Sequence, residues 1–261
     1  MKRKLPQLFV LAGLSLILGA CSKVYSPALY HQDIAYMPKP TSWDEKKSAT
    51  YISGGGNFYT NPNFNDGLVS GQVNLSEGHV FNGANVAYGA FGVFGDYSSN
   101  NNNSSNNNSS TSTDRFFGAV GGRFSANAFV HNDRVDFRFI GVEAVYSHEF
   151  GSYADFRKSY AMLSPDNYVD TRTDLFSAGL TTEVIFHNQN NKHFQHGIRG
   201  YLGFTAGHNP LNDTYYRNDN EFAAKAFRTI YPKASYYMKI NDFFGTIEVG
   251  SAFMFRFGYS F

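Results

Sequence analysis

The chain has 261 residues, with 22 basic and 21 acidic side chains for a net charge of +1, so it carries no electrostatic footprint for nucleic acid. Its single cysteine rules out an internal disulfide framework. Aromatic residues make up 17% and glycines number 25, yet mean hydropathy is −0.35. Beyond the N-terminus no apolar run approaches the ~20 residues a membrane helix needs. Abundant aromatics with low hydropathy are what alternating strands produce, since only every second residue must be apolar. A membrane barrel and a soluble β-sandwich both fit at this level.

The N-terminus reads as a secretion signal. Lys2, Arg3 and Lys4 precede an apolar run of 13 residues, 8–20, too short to span a bilayer. Leu18-Gly19-Ala20-Cys21 resembles the lipobox of bacterial lipoproteins. The resemblance implies cleavage before Cys21 and acylation of its thiol and new amino group. Ser22 follows, where an Asp would point to the inner membrane. Residues 21–47 contain Pro27, Pro38 and Pro40 and read as a tether without regular structure. Trp43, the one tryptophan, fits either an interfacial anchor or ordinary packing.

From residue 48 onward, alternation recurs between turn clusters. Strands are predicted over about 48–60, 68–81, 84–97, 114–130, 135–150, 173–187, 194–208 and 225–240, with a final stretch over 243–261. Asn82-Gly83 is a hairpin turn. In the fifth segment Phe137 and Phe139 share one face, while Val142, Ala144 and Tyr146 fall on the opposite parity. That slip predicts a β-bulge near Gly141. Residues 98–113 are almost pure Ser, Asn and Thr and cannot bury apolar surface, so they read as a solvated loop. Long connections (98–113, 151–171, 209–222) alternate with short ones (82–83, 131–134, 187–193, 241–242), as in outer-membrane barrels. A sandwich has no reason to alternate so regularly.

The final stretch has two distinct faces. Phe243, Ile247, Val249, Phe253, Phe255, Phe257, Tyr259 and Phe261 share one register; Thr246, Glu248, Gly250, Arg256 and Ser260 share the other, where Phe244 and Met254 are the large exceptions. The aromatics Phe253, Phe255, Phe257, Tyr259 and Phe261, ending on the terminal residue, resemble the closing strand of outer-membrane β-barrels. At ~3.3 Å per residue, 243–261 spans roughly 60 Å, well beyond the ~10 residues that cross a bilayer. Nine segments also conflict with the even strand number of such barrels. A break near Gly250-Ser251, an added strand within 24–36, or one early segment that is not a strand restores it; eight to ten strands are expected, ten being favoured.

On the non-aromatic face lie Arg115, Arg123, Arg138, Glu143, Glu183, Arg199, Glu248 and Arg256. In a small barrel side chains fill the lumen, and unpaired buried charges are costly, so Arg–Glu pairing across the interior is expected rather than an open pore. His187, His193 and His196 cluster about one turn, but no cysteine or nearby carboxylate supports a metal. There is no Gly-x-Ser-x-Gly elbow, P-loop or dinucleotide fingerprint.

The lipobox, the proline-containing segment after Tyr25-Ser26-Pro27, the opening strand Ala49-Thr50-Tyr51-Ile52-Ser53-Gly54-Gly55 and the aromatic C-terminus together resemble outer-membrane β-barrel lipoproteins of the Bacteroidetes type. The expectation is an all-β, closed, antiparallel up-and-down transmembrane β-barrel of 8–10 strands over 48–261, behind a signal peptide (1–20) and a lipidated tether (21–47). It would sit in the bacterial outer membrane, anchored at Cys21, with membrane lipid and the barrel-assembly machinery as partners and no cofactor or metal. A structural, surface-contact or envelope-complex accessory role follows. The alternatives are a barrel enzyme acting on lipid and a periplasmic lipocalin-like barrel holding an apolar ligand. A lipocalin-like barrel would be apolar inside and polar outside; a membrane barrel reverses this.

Overall fold

The structure, a computed structural model, describes residues 24–60, 66–99, 113–163, 168–188, 191–206 and 230–261. The expected signal peptide, Cys21, most of the Ser/Asn/Thr run, the loop expected over 209–222 and the start of the segment predicted at 225 lie outside the described residues. Ten strands close a barrel in chain order: β2 (Ser48–Thr60), β3 (Asp66–Val80), β4 (Ala84–Ser99), β5 (Thr113–His131), β6 (Val135–Phe150), β8 (Asp174–Asn188), β9 (Asn191–Thr205), β10 (Ile230–Ile240), β11 (Phe243–Val249) and β12 (Phe253–Ser260). Every pair is antiparallel, and β12 meets β2 at the seam with Arg256 opposite Gly55. Two short strands, β1 (Val24–Tyr25) and β7 (Tyr168–Val169), pair in parallel apart from the barrel. One helix, α1 (Ser152–Leu163), precedes β7 within the 151–171 stretch expected to be loop.

The final stretch breaks where 250–252 turns, giving β11 and β12 and the even number. The bulge falls as expected: the β6–β8 register shifts between Arg138 and Gly141, and the β5–β6 register between Ala128 and Val130. Phe139 and Ile140 are in consequence both exposed, which regular alternation forbids. At the 81–83 turn Gly83 takes φ 78°, open to glycine at no steric cost.

The outer wall is apolar. Phe58, Val73, Phe94, Val120, Phe124, Val142, Leu180, Leu202, Ile247 and Phe257 all point outward and are exposed. On β6 this face runs from Phe137 to Tyr146, nine steps, which at ~3.3 Å each and ~40° tilt give roughly 23 Å, close to the ~25 Å band of a membrane barrel. Polar clusters bracket it. Near one rim Tyr88 donates to Glu77 at 2.9 Å and lies 3.2 Å from the His79 ring nitrogen; near the other, Tyr146 donates to Asp174 at 2.6 Å and His148 lies 2.9 Å from the same carboxylate. No described helix is long and apolar enough to cross a membrane. The lipocalin-like alternative requires the opposite arrangement of faces and is corrected by this one.

Of the closing-strand aromatics, Phe253, Phe257 and Phe261 are exposed, while Phe255 and Tyr259 are half-buried against neighbouring rings: Phe255 stacks with Phe58 at 6.2 Å and Tyr259 meets Phe261 at 5.0 Å. Phe257, at 68% exposure, sits mid-strand. Phe257→Arg is therefore expected to cost ~2–4 kcal/mol, whereas Ile240→Arg, at the rim, costs ~0–1 kcal/mol. Urea titration of the refolded variants in lipid vesicles checks the difference.

Candidate functional site in the barrel lumen

The inward face of the wall is built from small residues and charges. Ser53, Ser70, Ala87, Ala119, Ser125, Ser177 and Ser235 are buried there, and so are Arg123, Arg138, Glu143, Glu183, Arg199, Lys233, Glu248 and Arg256. Eight strands give an interior just wide enough for side chains to fill; ten strands with small inward residues leave room for more. The extra space is taken by the chain's own residues 24–44. The described part of the expected tether is therefore a plug: Tyr25, Leu29, Asp33, Ile34, Tyr36, Met37, Lys39 and Thr41 are all buried.

The plug has two parts. Residues 27–33 form tight turns, with Tyr30 N–H donating to the Pro27 carbonyl (3.0 Å) and Gln32 N–H to that of Leu29 (2.8 Å). Residues 34–40 run without a strand partner. A chain buried this way cannot leave its amides and carbonyls unpaired. The wall supplies charged partners from different strands. Arg123 Nε (β5) donates to the Asp33 carbonyl at 2.7 Å, Lys233 Nζ (β10) to that of Ile34, Arg256 (β12) to that of Tyr36 at 2.6 Å, and Arg138 (β6) to that of Pro40 at 3.3 Å. Carboxylates receive the amides: Glu149 takes Ala28 N–H at 2.7 Å, Glu248 takes Tyr36 N–H at 3.0 Å, and Asp136 takes Ser42 N–H at 3.1 Å. The same groups pair with one another. Arg138 meets Glu183 at 2.7 Å, Arg256 meets Glu248 at 2.8 Å, and Arg199 bridges Glu143 and Glu248, the latter at 3.5 Å. Among the described residues the buried charges are seven cations and seven carboxylates, a neutral set. Neutrality with close pairing is the condition under which charges stay buried.

Tyr36 is the centre of this arrangement. Its N–H goes to Glu248, its carbonyl accepts from Arg256, its hydroxyl donates to Glu183, and its ring lies 5.1 Å from that of Tyr237. Plug side chains join in as well: Asp33 accepts from Ser177 at 2.9 Å, and Lys39 donates to Ser125 at 2.6 Å. Backbone approaches are close; a Cβ on Gly78 would lie 3.0 Å from Pro40 Cδ and 3.1 Å from Lys39 Cα, so only glycine fits there unstrained. At one mouth the lumen turns apolar. Tyr25 packs edge-on to Phe156 and Tyr160 of α1 at 5.3 and 4.9 Å, Tyr97 stacks on Tyr153 at 4.4 Å, and Arg157 pairs with Glu149 at 3.1 Å.

Six of the eight residues expected to pair across the lumen do so: Arg138, Glu143, Glu183, Arg199, Glu248 and Arg256. Arg123 faces inward but bonds to the plug and to Asn74, with its guanidinium 3.7 Å over the Phe91 ring, rather than to a carboxylate. Arg115 is half-buried near the mouth and lies 3.9 Å over Phe156; it belongs to no ion pair among the described residues. Asp33, Tyr36, Lys39, Asp136, Glu149, Arg157 and Lys233 were not foreseen. The signal was present in Ile34-Ala35-Tyr36-Met37, an apolar run with no reason to sit in a solvated tether.

The two described members of the histidine cluster engage separate aromatic partners. His187 stacks on Trp43 at 4.9 Å, giving Trp43 its packing role, His196 stacks on Phe186 at 5.2 Å, and the His193 side chain lies outside the described residues. No group of three potential metal ligands exists among the described residues. On the outer wall the His148–Asp174 pair has the orientation of a hydrolase base and its anchor, but no hydroxyl hydrogen-bonds the second ring nitrogen among the described residues.

No protein-family description matches the chain, and no curated protein matches its sequence. Among solved structures it is similar to an outer membrane channel from Pseudomonas putida F1, at 10% identity and a TM-score of 0.32, covering 86% of this chain and 100% of that one. It is also similar to CdiB from Acinetobacter baumannii, at 8% identity and a TM-score of 0.27, covering 83% of this chain and 60% of that one. Its own strand pairing and faces define the architecture: a closed, even-stranded antiparallel barrel with an apolar exterior and a polar interior, the outer-membrane type.

Proposed function

We propose that this chain is an outer-membrane β-barrel lipoprotein that works with its lumen shut. After removal of residues 1–20 it is anchored by acyl chains on Cys21, is inserted by the barrel-assembly machinery, and acts in envelope structure, surface contact or as an accessory of a larger envelope complex. The observation that carries this reading is that charges which in a channel would face water instead bind the backbone of residues 28–42. A pore would need hydrated charges along an open path. Here the path is filled by covalently attached chain, so opening it would mean breaking several charge-assisted hydrogen bonds at once.

Planar-bilayer recording on the purified full-length protein tests this. Membranes that stay electrically silent, while heat-modifiable migration shows the protein folded, are the expected result. Stable single-channel steps from the folded protein would overturn the closed-lumen reading and favour a transport role.

A further inference from the structure

The direction of the plug places the N-terminus at a particular end of the barrel. One end carries the short connections 81–83, 132–134, 189–190 and 241–242, together with the start of β2 and the C-terminal Phe261. The other carries the connections 61–65, 100–112, 151–173, 206–229 and 250–252. From residue 44 back to residue 24, the plug's partners move steadily from the first end to the second. Trp43 stacks on His187, Ser42 meets Asp136, and the Asp44 carboxylate lies 3.8 Å from Lys239, all beside short turns. Tyr36 and Ile34 sit at mid-lumen levels, on Glu183 and Lys233. His31 then receives Ser251 on its carbonyl at 3.0 Å and stacks on Tyr231 at 4.0 Å, Ala28 reaches Glu149, and Val24–Tyr25 pairs with Tyr168–Val169 inside the long 151–173 connection.

We propose that the acylated N-terminus of this barrel lies outside the cell, its acyl chains in the outer leaflet, with residues 24–44 as an eleventh crossing of the membrane. The proposal rests on the lipidation reading above. Long connections face outward in barrels of this type, so the end where Val24 emerges is the extracellular one. From Val24 to Cys21 is three residues, a reach of at most ~11 Å, too little to return through a band of ~25 Å. The lumen is also already filled, so acyl chains cannot occupy it. The barrel's two chain ends thus lie on opposite sides: Phe261 at the periplasmic rim, and Cys21 at the outer one. A conventional periplasmic anchor on the inner leaflet would require the plug to run the other way.

Two epitope insertions test the proposal, each in the full-length protein with wild-type folding checked by heat-modifiable migration. One tag follows Ser22; the other enters the Asn82–Gly83 turn. Antibody labelling of intact and permeabilised cells is read beside metabolic labelling with an alkyne fatty acid, using Cys21→Ala as the unlabelled control. The expected result is acyl label on the protein, the Ser22 tag bound on intact cells, and the turn tag bound only after permeabilisation. Acyl label with the Ser22 tag reached only after permeabilisation overturns the outer-leaflet placement and leaves lipidation standing. Absence of acyl label overturns the lipid anchor and the placement with it, while the Ser22 tag still reports where the chain emerges.

Discussion

Replacing Glu248 by alanine is expected to destabilise the barrel by ~3–5 kcal/mol, the range for removing one partner of a buried ion pair. That is roughly a hundred- to several-thousand-fold in the folding equilibrium. Glu248 is fully buried and serves four groups at once: Arg256, Arg199, the Tyr36 amide and the Ser235 hydroxyl. Alanine leaves two guanidinium groups short of a counter-charge and one plug amide without its acceptor. Glu248→Gln keeps an acceptor oxygen but removes the charge, so it should fall between wild type and alanine. The temperature at which the folded band converts to the unfolded one on unboiled gels ranks the three. Equal conversion temperatures for wild type and Glu248→Ala would mean that the network contributes little.

Deleting residues 24–44 is the second large effect. The wall loses four carbonyl partners, those of Asp33, Ile34, Tyr36 and Pro40, each bound to a cation. Hydrogen bonds to charged groups are worth about 1.5–3 kcal/mol net apiece. Burial of Leu29, Ile34 and the plug tyrosines is lost as well, at about 1.5–3 kcal/mol per large apolar side chain. Water entering the vacated lumen rehydrates the charges, which offsets part of the first loss and none of the second. The net cost is on the order of 10 kcal/mol, comparable with the whole stability of a domain. The deletion variant is expected to refold in low yield, and the fraction that folds to conduct ions through a hydrated, charge-lined lumen. Adding a synthetic peptide of residues 24–44 should then silence the current. A deletion variant with wild-type yield and no conductance would show that the wall closes the lumen alone.

The barrel itself was legible because its signals are local. Alternation placed the strands, turn chemistry placed the short connections, and the slip across Gly141 located the bulge. The face of each strand was also legible: Arg138, Glu143, Glu183, Arg199, Glu248 and Arg256 all point inward as the pattern requires. The plug was not, for a physical reason. Residues 34–40 have no strand partner and take their hydrogen bonds from side chains up to 220 positions away, so no periodicity marks them. The plug's three prolines, 27, 38 and 40, read as loop, although proline also suits a chain whose amides find few partners. Lys233 was missed because the surrounding segment shows outward tyrosine and methionine more plainly than inward charge. Helix α1 was missed because it is weakly amphipathic, with Tyr153, Ala154 and Arg157 inward and Met162 and Leu163 left exposed.

Residues 24–44 occupy the lumen of the native barrel, and an intramolecular cross-link puts this to the test. The plug's Asp33 carboxylate accepts from the wall's Ser177 hydroxyl at 2.9 Å, so Asp33→Cys with Ser177→Cys brings two thiols within reach of oxidation or a short bis-thiol reagent. A protease site inserted after the exposed Glu45 cuts the chain between plug and wall. After oxidation in intact outer membranes and cleavage, the double variant is expected to run as one linked species without reductant and as two fragments with it, and neither single variant to link. Two separate fragments without reductant, with both cysteines open to a water-soluble thiol reagent, would contradict it.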